Sequence, residues 1–153
     1  MFTIQIDCHP LILFVDRRHP WAQRKSVGVH DLEGQEMVLS EVGSKFRAAF
    51  EQAIAKAGVN TNVVMEINNH EIVRDAVAAG IGIGVIGEHA FVPDRRLRVL
   101  KLRDIDIPVY TYVACLRERR DARLVRAFFD YVGDFSKTSK SSPKRALTAP
   151  AQI

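Results

Sequence analysis

Apolar positions along this chain fall into short runs and periodic stretches separated by polar turns. "LILFV" (11–15) is a five-residue apolar run between Pro10 and the triplet Asp16, Arg17, Arg18, and it reads as a buried strand. "RRHPWAQRKSVGVHDLEG" follows, with a Pro-initiated helical turn near 20–23 and a polar loop ending at Gly34. "QEMVLSEV" (35–42) reads as a strand. In "GSKFRAAFEQAIAKAG" the residues Phe46, Ala49, Phe50, Ala53, Ile54 and Ala57 recur at helical spacing, with Ser44 as N-cap and Gly58 as C-cap. "NVVMEI" (62–67) is a further strand.

The next stretch poses a choice. Ile72, Val73, Ala76, Val77 and Ala79 fall at helical spacing over 70–79. Asn68 with Glu71 forms a capping box, Asn69 is a rival N-cap, and Gly80 stands at the C-cap. "IGIGVI" (81–86) then alternates Ile81, Ile83 and Val85 with glycine, a buried strand whose glycines admit a close neighbour. Glycines at 80, 82, 84 and 87 invite a dinucleotide-binding reading. That fingerprint needs a strand before the glycines and a helix after them. Here the order is helix, glycine, strand, so a phosphate loop is disfavoured.

Strand, helix, strand, helix, strand with short links predicts parallel strands joined by right-handed crossovers. "LRVLKL" (97–102) and "PVYTYVACLRER" (108–119) read as two more strands. "DARLVRAFFDYVGDF" is a final helix, N-capped near Asp121, with Leu124, Val125, Phe128, Phe129 and Val132 expected to face inward.

Composition narrows the class. With 153 residues, 47% hydrophobic and 26% charged, the chain suits one globular domain with a real core. No apolar run is long enough to span a membrane. The start "MFTIQIDCHPLILFV" lacks the basic opening of a signal peptide. Cys8 and Cys115 are isolated, which points to reduced thiols in the cytoplasm. The net charge is +4, and no acid follows Asp134, whereas Lys137, Lys140, Lys144 and Arg145 do. The Ser-, Lys- and Pro-rich tail is expected to be disordered, leaving a near-neutral folded body. That body offers no basic helix for reading nucleic acid, so specific DNA binding by this chain is not expected.

In an open parallel sheet, ligands sit beyond the carboxyl ends of the strands. Two strand-to-helix junctions point there, Gly43-Ser44 and Asn68-Asn69-His70. Helix N-terminal amides beside small polar side chains suit a carboxylate or phosphonate. Plain N-capping accounts for the same residues. The five histidines show no spacing that assembles a site, and with no His-x-x-x-His or Cys-x-x-Cys no metal is expected. No Gly-x-Ser-x-Gly turn supports a catalytic triad, so neither an enzyme nor a cofactor is expected. "LRERRDARLVR" reads as a solvated charge run.

Taken in order, "LILFVDRRHPWA", "HDLEGQEMVL", "AFEQAIAKAGV" and "IVRDAVAAGIGIGVI" resemble the effector-sensing domain of LysR-type transcriptional regulators, across roughly residues 10 to 135. The resemblance implies an α/β fold of the periplasmic-binding-protein-like (type II) kind, with one complete lobe plus the crossing strands and last helix of the other. In those terms 1–19 is a remnant of the first lobe with a crossover strand, and 20–103 is the second lobe. Residues 104–135 are the return strand and C-terminal helix, and 136–153 the basic tail. Gly43, Ser44 and Lys45, with Asn68 and Asn69, fall where the family places effector-binding residues in its second lobe. The family's helix-turn-helix and most of its first lobe are expected to precede such a segment, so the chain is expected to be an N-terminally truncated regulator. "VRDAVAAGIGIGVIGEHAFVPDRRLRVL" further resembles the branch tied to phosphonate use. The expected partners are a small organic anion effector and other copies of the chain, with no membrane. The alternatives are a fragment of a transporter's solute-binding protein, or a truncated product without ligand function.

Overall fold

The computed structural model describes residues 1–139. The basic tail beyond Ser139 lies outside the described residues. The described residues divide into two compact units: His9–Val109, and Met1–Cys8 together with 110–139.

The larger unit is built on a mixed sheet. Its strands are the second half of β1 (Phe2–Asp16), then β2 (Ser26–Val27), β3 (Glu36–Ser40), β4 (Asn62–Ile67), β5 (Ile83–Gly87) and β6 (Leu97–Leu102). They lie in the order β2-β6-β1-β5-β3-β4. β3 is parallel to both β4 and β5, the crossover arrangement expected of 35–86. β1 runs antiparallel to β5 and β6, so the sheet is mixed. The helices of the crossovers are α1 (Lys45–Lys56) and α2 (His70–Ala78).

The apolar run 11–15 is continuous because both faces of β1 are covered. Leu11, Leu13 and Val15 pack with Met37, Leu39, Ile83 and Val85 and with Phe50 and Ile54 of α1. Ile12 and Phe14 pack on the other face with Val38, Ile86 and with Val73, Ala76 and Val77 of α2. Phe46, at the start of α1, touches both clusters. Each helix ends on a residue in the right-handed helical region, Ala57 and Ala79, followed by a left-handed glycine, Gly58 (φ 70°) and Gly80 (φ 83°). Gly58 and Gly80, read from sequence as the C-caps, therefore stand one position beyond the caps themselves.

In the smaller unit, β7 (Pro108–Cys115) pairs with β1, and α3 runs over Arg123–Ser139. The strand expected over 108–119 stops at Cys115, and Arg117–Arg119 forms a turn of 3-10 helix. α3 begins two residues after Asp121, and the Ala122 carbonyl accepts its first bond, from the Arg126 amide at 2.9 Å. Phe129 is buried, its ring 5.2 Å from that of Phe2, and the Arg120 guanidinium lies 4.2 Å over Phe2. Leu124 and Phe128, expected inward, are exposed at 84% and 53%. The helix carries two neighbouring apolar stripes. One, through Val125, Phe129 and Val132, is at least half-buried, and the other, through Leu124, Phe128 and Tyr131, is not covered.

Candidate functional site

Because β3, β4 and β5 are parallel, their carboxyl ends at Ser40, Ile67 and Gly87 share one edge of the larger unit. β1 is antiparallel, with Leu11 opposite Gly87, and this brings His9 to the same edge.

After β3 the chain turns through Gly43, which adopts φ 102°, a conformation open to glycine and few other residues. The Ser44 amide donates to the Glu41 carbonyl at 3.1 Å and closes the turn. Ser44 has the backbone of an N-cap, but its hydroxyl makes no capping hydrogen bond. No acid stands in the first turn of α1, and its first residue is the exposed Lys45. No acid of the helix's own first turn offsets its positive end, and Lys45 adds a cation to it.

The second junction corrects the capping box expected of Asn68 and Glu71. Asn69 caps α2: its side-chain oxygen accepts from the Glu71 amide at 2.8 Å and the Ile72 amide at 3.3 Å. β4 runs through Ile67, so Asn68 is spent on the bend, and Asn69 is the residue left extended (φ −130°, ψ 121°) as a cap must be. Glu71 lies in the first turn of α2 and offsets that helix's dipole.

Arg47 ties the first junction down. Its guanidinium donates to Glu51 at 2.8 Å, to Glu66 at 2.5 Å and to the Ser40 carbonyl at 3.0 Å. Glu66 in turn accepts from the Val42 amide at 3.4 Å. The hydrogen bond from Arg47, then that from Val42, holds the Glu66 carboxyl below the usual carboxylate range. Bonds to Glu51 and then Glu66 raise the Arg47 guanidinium in turn.

The structure also gathers three histidines that sequence spacing did not connect. His9 and His89 stack with ring centroids 4.9 Å apart. Phe46 lies 5.7 Å from His70 and 6.0 Å from His89. A Cβ on Gly87 would come within 2.8 Å of Phe46 and 2.9 Å of His89, so a bare backbone lets the rings meet. His70 and His89 each follow the end of a parallel strand, a placement legible in the sequence; His9 needed the β1–β5 register. Among the described residues no three His, Cys, Asp or Glu side chains are arranged to hold a metal ion. A separate groove of about 470 Å³ lies between α1 and Ile105–Pro108, lined by alanines and by Gln52, Lys56 and Asp106. It does not include any of the expected site residues.

A mixed sheet flanked by crossover helices, with two helix N-termini at its carboxyl edge, is the periplasmic-binding-protein-like α/β fold. The chain belongs to the LysR substrate binding domain family, which matches residues 5–137. It is similar to the transcriptional activator CmpR of Synechocystis, 24% identical over 127 residues, covering 81% of this chain and 42% of that one. It is also similar to the transcriptional regulator CbbR of Xanthobacter flavus, 30% identical over 135 residues, covering 85% and 40%. The chain thus spans about two-fifths of the curated relatives it matches. Among solved structures, the Synechocystis CcmR regulatory domain in complex with 2-PG superposes with a TM-score of 0.79 at 24% identity, covering 89% of this chain and 67% of that one. The effector binding domain of QuiR in complex with shikimate gives 0.81 at 16%, covering 90% and 66%. At these identities the likeness shows the fold.

Proposed function

We propose that this chain is the effector-sensing part of a LysR-type transcriptional regulator and acts by binding, not by catalysis. The ligand is a small organic anion, a carboxylate or phosphonate, held by Gly43, Ser44 and Lys45 with Asn68 and Asn69. The observation that carries this reading is the start of α1. Its N-terminal amides have no acidic neighbour in the first turn, its N-cap hydroxyl is not used for capping, and a lysine stands beside it. N-capping explains Asn69 fully but leaves Ser44 unexplained. The ligand-bound complexes of CcmR and QuiR support a small-molecule effector. The phosphonate preference rests on the resemblance of residues 73–100. A cytoplasmic location accords with the family's work on DNA. Self-association accords with the uncovered stripe of Leu124, Phe128 and Tyr131.

Gly43, Lys45, Asn68 and Asn69 are exposed, so water competes at this surface and affinity is expected to be on the order of millimolar, about −4 kcal/mol. Calorimetric titration with acetate and methylphosphonate tests the reading. Ser44→Ala is expected to weaken binding by roughly 0.5–1.5 kcal/mol, the net worth of one hydrogen bond. Equal affinity in the variant and the parent would overturn the role of Ser44.

A further inference from the structure

The larger unit carries a basic strip that its near-neutral total charge conceals. Residues 17–30 hold Arg17, Arg18, Arg24 and Lys25 and no acid. Residues 95–103 hold Arg95, Arg96, Arg98, Lys101 and Arg103 and again no acid. The sheet sets these two stretches side by side. The Arg17 amide donates to the Arg96 carbonyl at 2.9 Å, and Val15 stands opposite Arg98. The Lys101 amide donates to the Lys25 carbonyl at 3.1 Å. Acids of neighbouring elements neutralise part of this charge: Asp16 pairs with Arg18, Asp75 and Asp94 with Arg96, Glu88 with Lys101, and Asp31 with Arg103. Arg17, Arg24, Lys25, Arg95 and Arg98 are exposed and form no ion pair among the described residues. We propose that this strip lies against the phosphate backbone of duplex DNA, in a contact that carries no sequence information.

The source of the phosphates rests on the reading of the chain as part of a transcriptional regulator; the surface itself does not. In a near-neutral body, five unpaired cations on one side mean that charge is segregated, and such a surface attracts a polyanion. Four of the five are arginines, whose planar guanidinium matches a phosphate with two parallel hydrogen bonds. The strip also lacks the apolar centre that a protein partner would need. Trp21 is buried, with the Arg24 guanidinium 5.7 Å over its ring, and Val99, at 38%, is the one exposed large apolar residue of the two stretches. A sugar-phosphate backbone needs no such centre, only cations along its length.

The strip is separate from the residues proposed to hold the effector. β1 is antiparallel to β5 and β6, so Arg17 and Arg95 lie at the amino edge of the parallel strands, opposite to Ser44 and Asn69. Glu36 opens β3 at that same amino edge, with β5 between it and β1, and bounds the strip on that side.

Fluorescence anisotropy of a labelled duplex of arbitrary sequence, titrated with the full chain at stepped salt, tests the inference. Lys137, Lys140, Lys144 and Arg145 also attract DNA, so the reference chain carries glutamine at those four positions. Five phosphate contacts predict a roughly 500-fold loss of affinity over a fourfold rise in salt, and three contacts roughly 40-fold. Arg95→Gln with Arg98→Gln should therefore reduce the salt dependence from the first figure to the second. Arg17→Gln with Lys25→Gln, on the other stretch, should do the same, which guards against a change of fold in either pair. Lys56→Gln on α1 should leave the salt dependence as it is. A salt dependence unchanged in both paired variants overturns the inference. Polyglutamate bound as tightly as the duplex overturns it too, and assigns the strip to an acidic protein. Either result leaves the effector reading standing, because methylphosphonate binding near Ser44 is measured separately.

Discussion

The ring of Phe14 lies directly against the Cα of Gly84, its register partner across β1 and β5. A Cβ on Gly84 would come within 2.2 Å of the ring, and Phe14 is fully buried. The glycine-spaced strand is therefore glycine-rich for packing: Gly84 admits Phe14, and Gly82 admits the Glu36 carbonyl, which an added Cβ would meet at 2.7 Å. Gly84→Ala is expected to destabilise the chain by about 3 kcal/mol, the upper range for overpacking. Gly133 stands in α3 with nothing within 4 Å of an added Cβ. Gly133→Ala is expected to stabilise by up to about 1 kcal/mol through helix propensity. Urea unfolding of the two variants checks both signs.

The two strand-to-helix junctions make a second comparison. Only Asn69 uses its side chain to cap a helix. Asn69→Ala should cost about 1 kcal/mol. Asn68→Ala and Ser44→Ala should both stay within about 0.5 kcal/mol of the parent, as for surface positions without a cap. A loss of 1 kcal/mol in Ser44→Ala by thermal or urea unfolding would mean that its hydroxyl is a cap after all.

What could be read from sequence follows the range of the forces involved. The strand 97–102 and the buried part of β1 were legible because burial imposes a local pattern, whereas the strand 62–67, none of whose residues is buried, was legible from its β-forming composition "NVVMEI". The first half of β1 alternates Phe2, Ile4 and Ile6 with Thr3, Gln5 and Asp7, a period-two signal of a half-buried strand that the reading of 11–15 as the strand leaves out. Asn68 and Asn69 differ by one position, and either could cap. The end of β4 decides between them, and that boundary is set by pairing with β3. His9 and His89 stand 80 positions apart in the chain and meet only through the antiparallel register of β1 and β5. The inward face of α3 was misjudged because two apolar stripes fit one helical period, and the sequence does not say which is covered.

Acid should unfold the chain in a predictable window. Hydrogen bonds from the Arg96 side chain and then its amide, with a further one from Arg74, hold the Asp94 carboxyl well below its ordinary value. Asp16, buried and bonded by Arg18, is lowered too, as is Glu66. For a carboxyl depressed in the folded state, the unfolded chain binds more protons as pH falls. The stabilisation is complete above the unfolded pKa near 4 and is lost as pH drops toward the folded value. His19 adds an earlier step. Burial lowers it against the opposing pull of Asp16, and its Nδ1 accepts from the Trp21 amide, which favours the neutral ring. Its contribution is present at neutral pH and declines as pH falls through about 6.5, the ordinary imidazole value. Denaturation series at stepped pH should show a shallow loss near pH 6 that disappears in His19→Gln, and a steep loss below pH 4 that flattens in Asp94→Asn.

The central claim is that the carboxyl edge of the parallel strands, at Ser44 and Asn68, receives a small anion. Titration of the isotope-labelled chain with methylphosphonate, followed through backbone amide shifts, tests it most directly. The amides of Ser44 to Arg47 and of Asn69 to Ile72 lie at that edge, in the junctions and first turns of α1 and α2, with the Ser44 amide donating to Glu41 and those of Glu71 and Ile72 donating to Asn69. Saturable shifts at both sets, weaker in Ser44→Ala, are the predicted result. Shifts confined to the basic run from Lys137 to Arg145, or none at all, would contradict it and leave these residues as turn and cap alone.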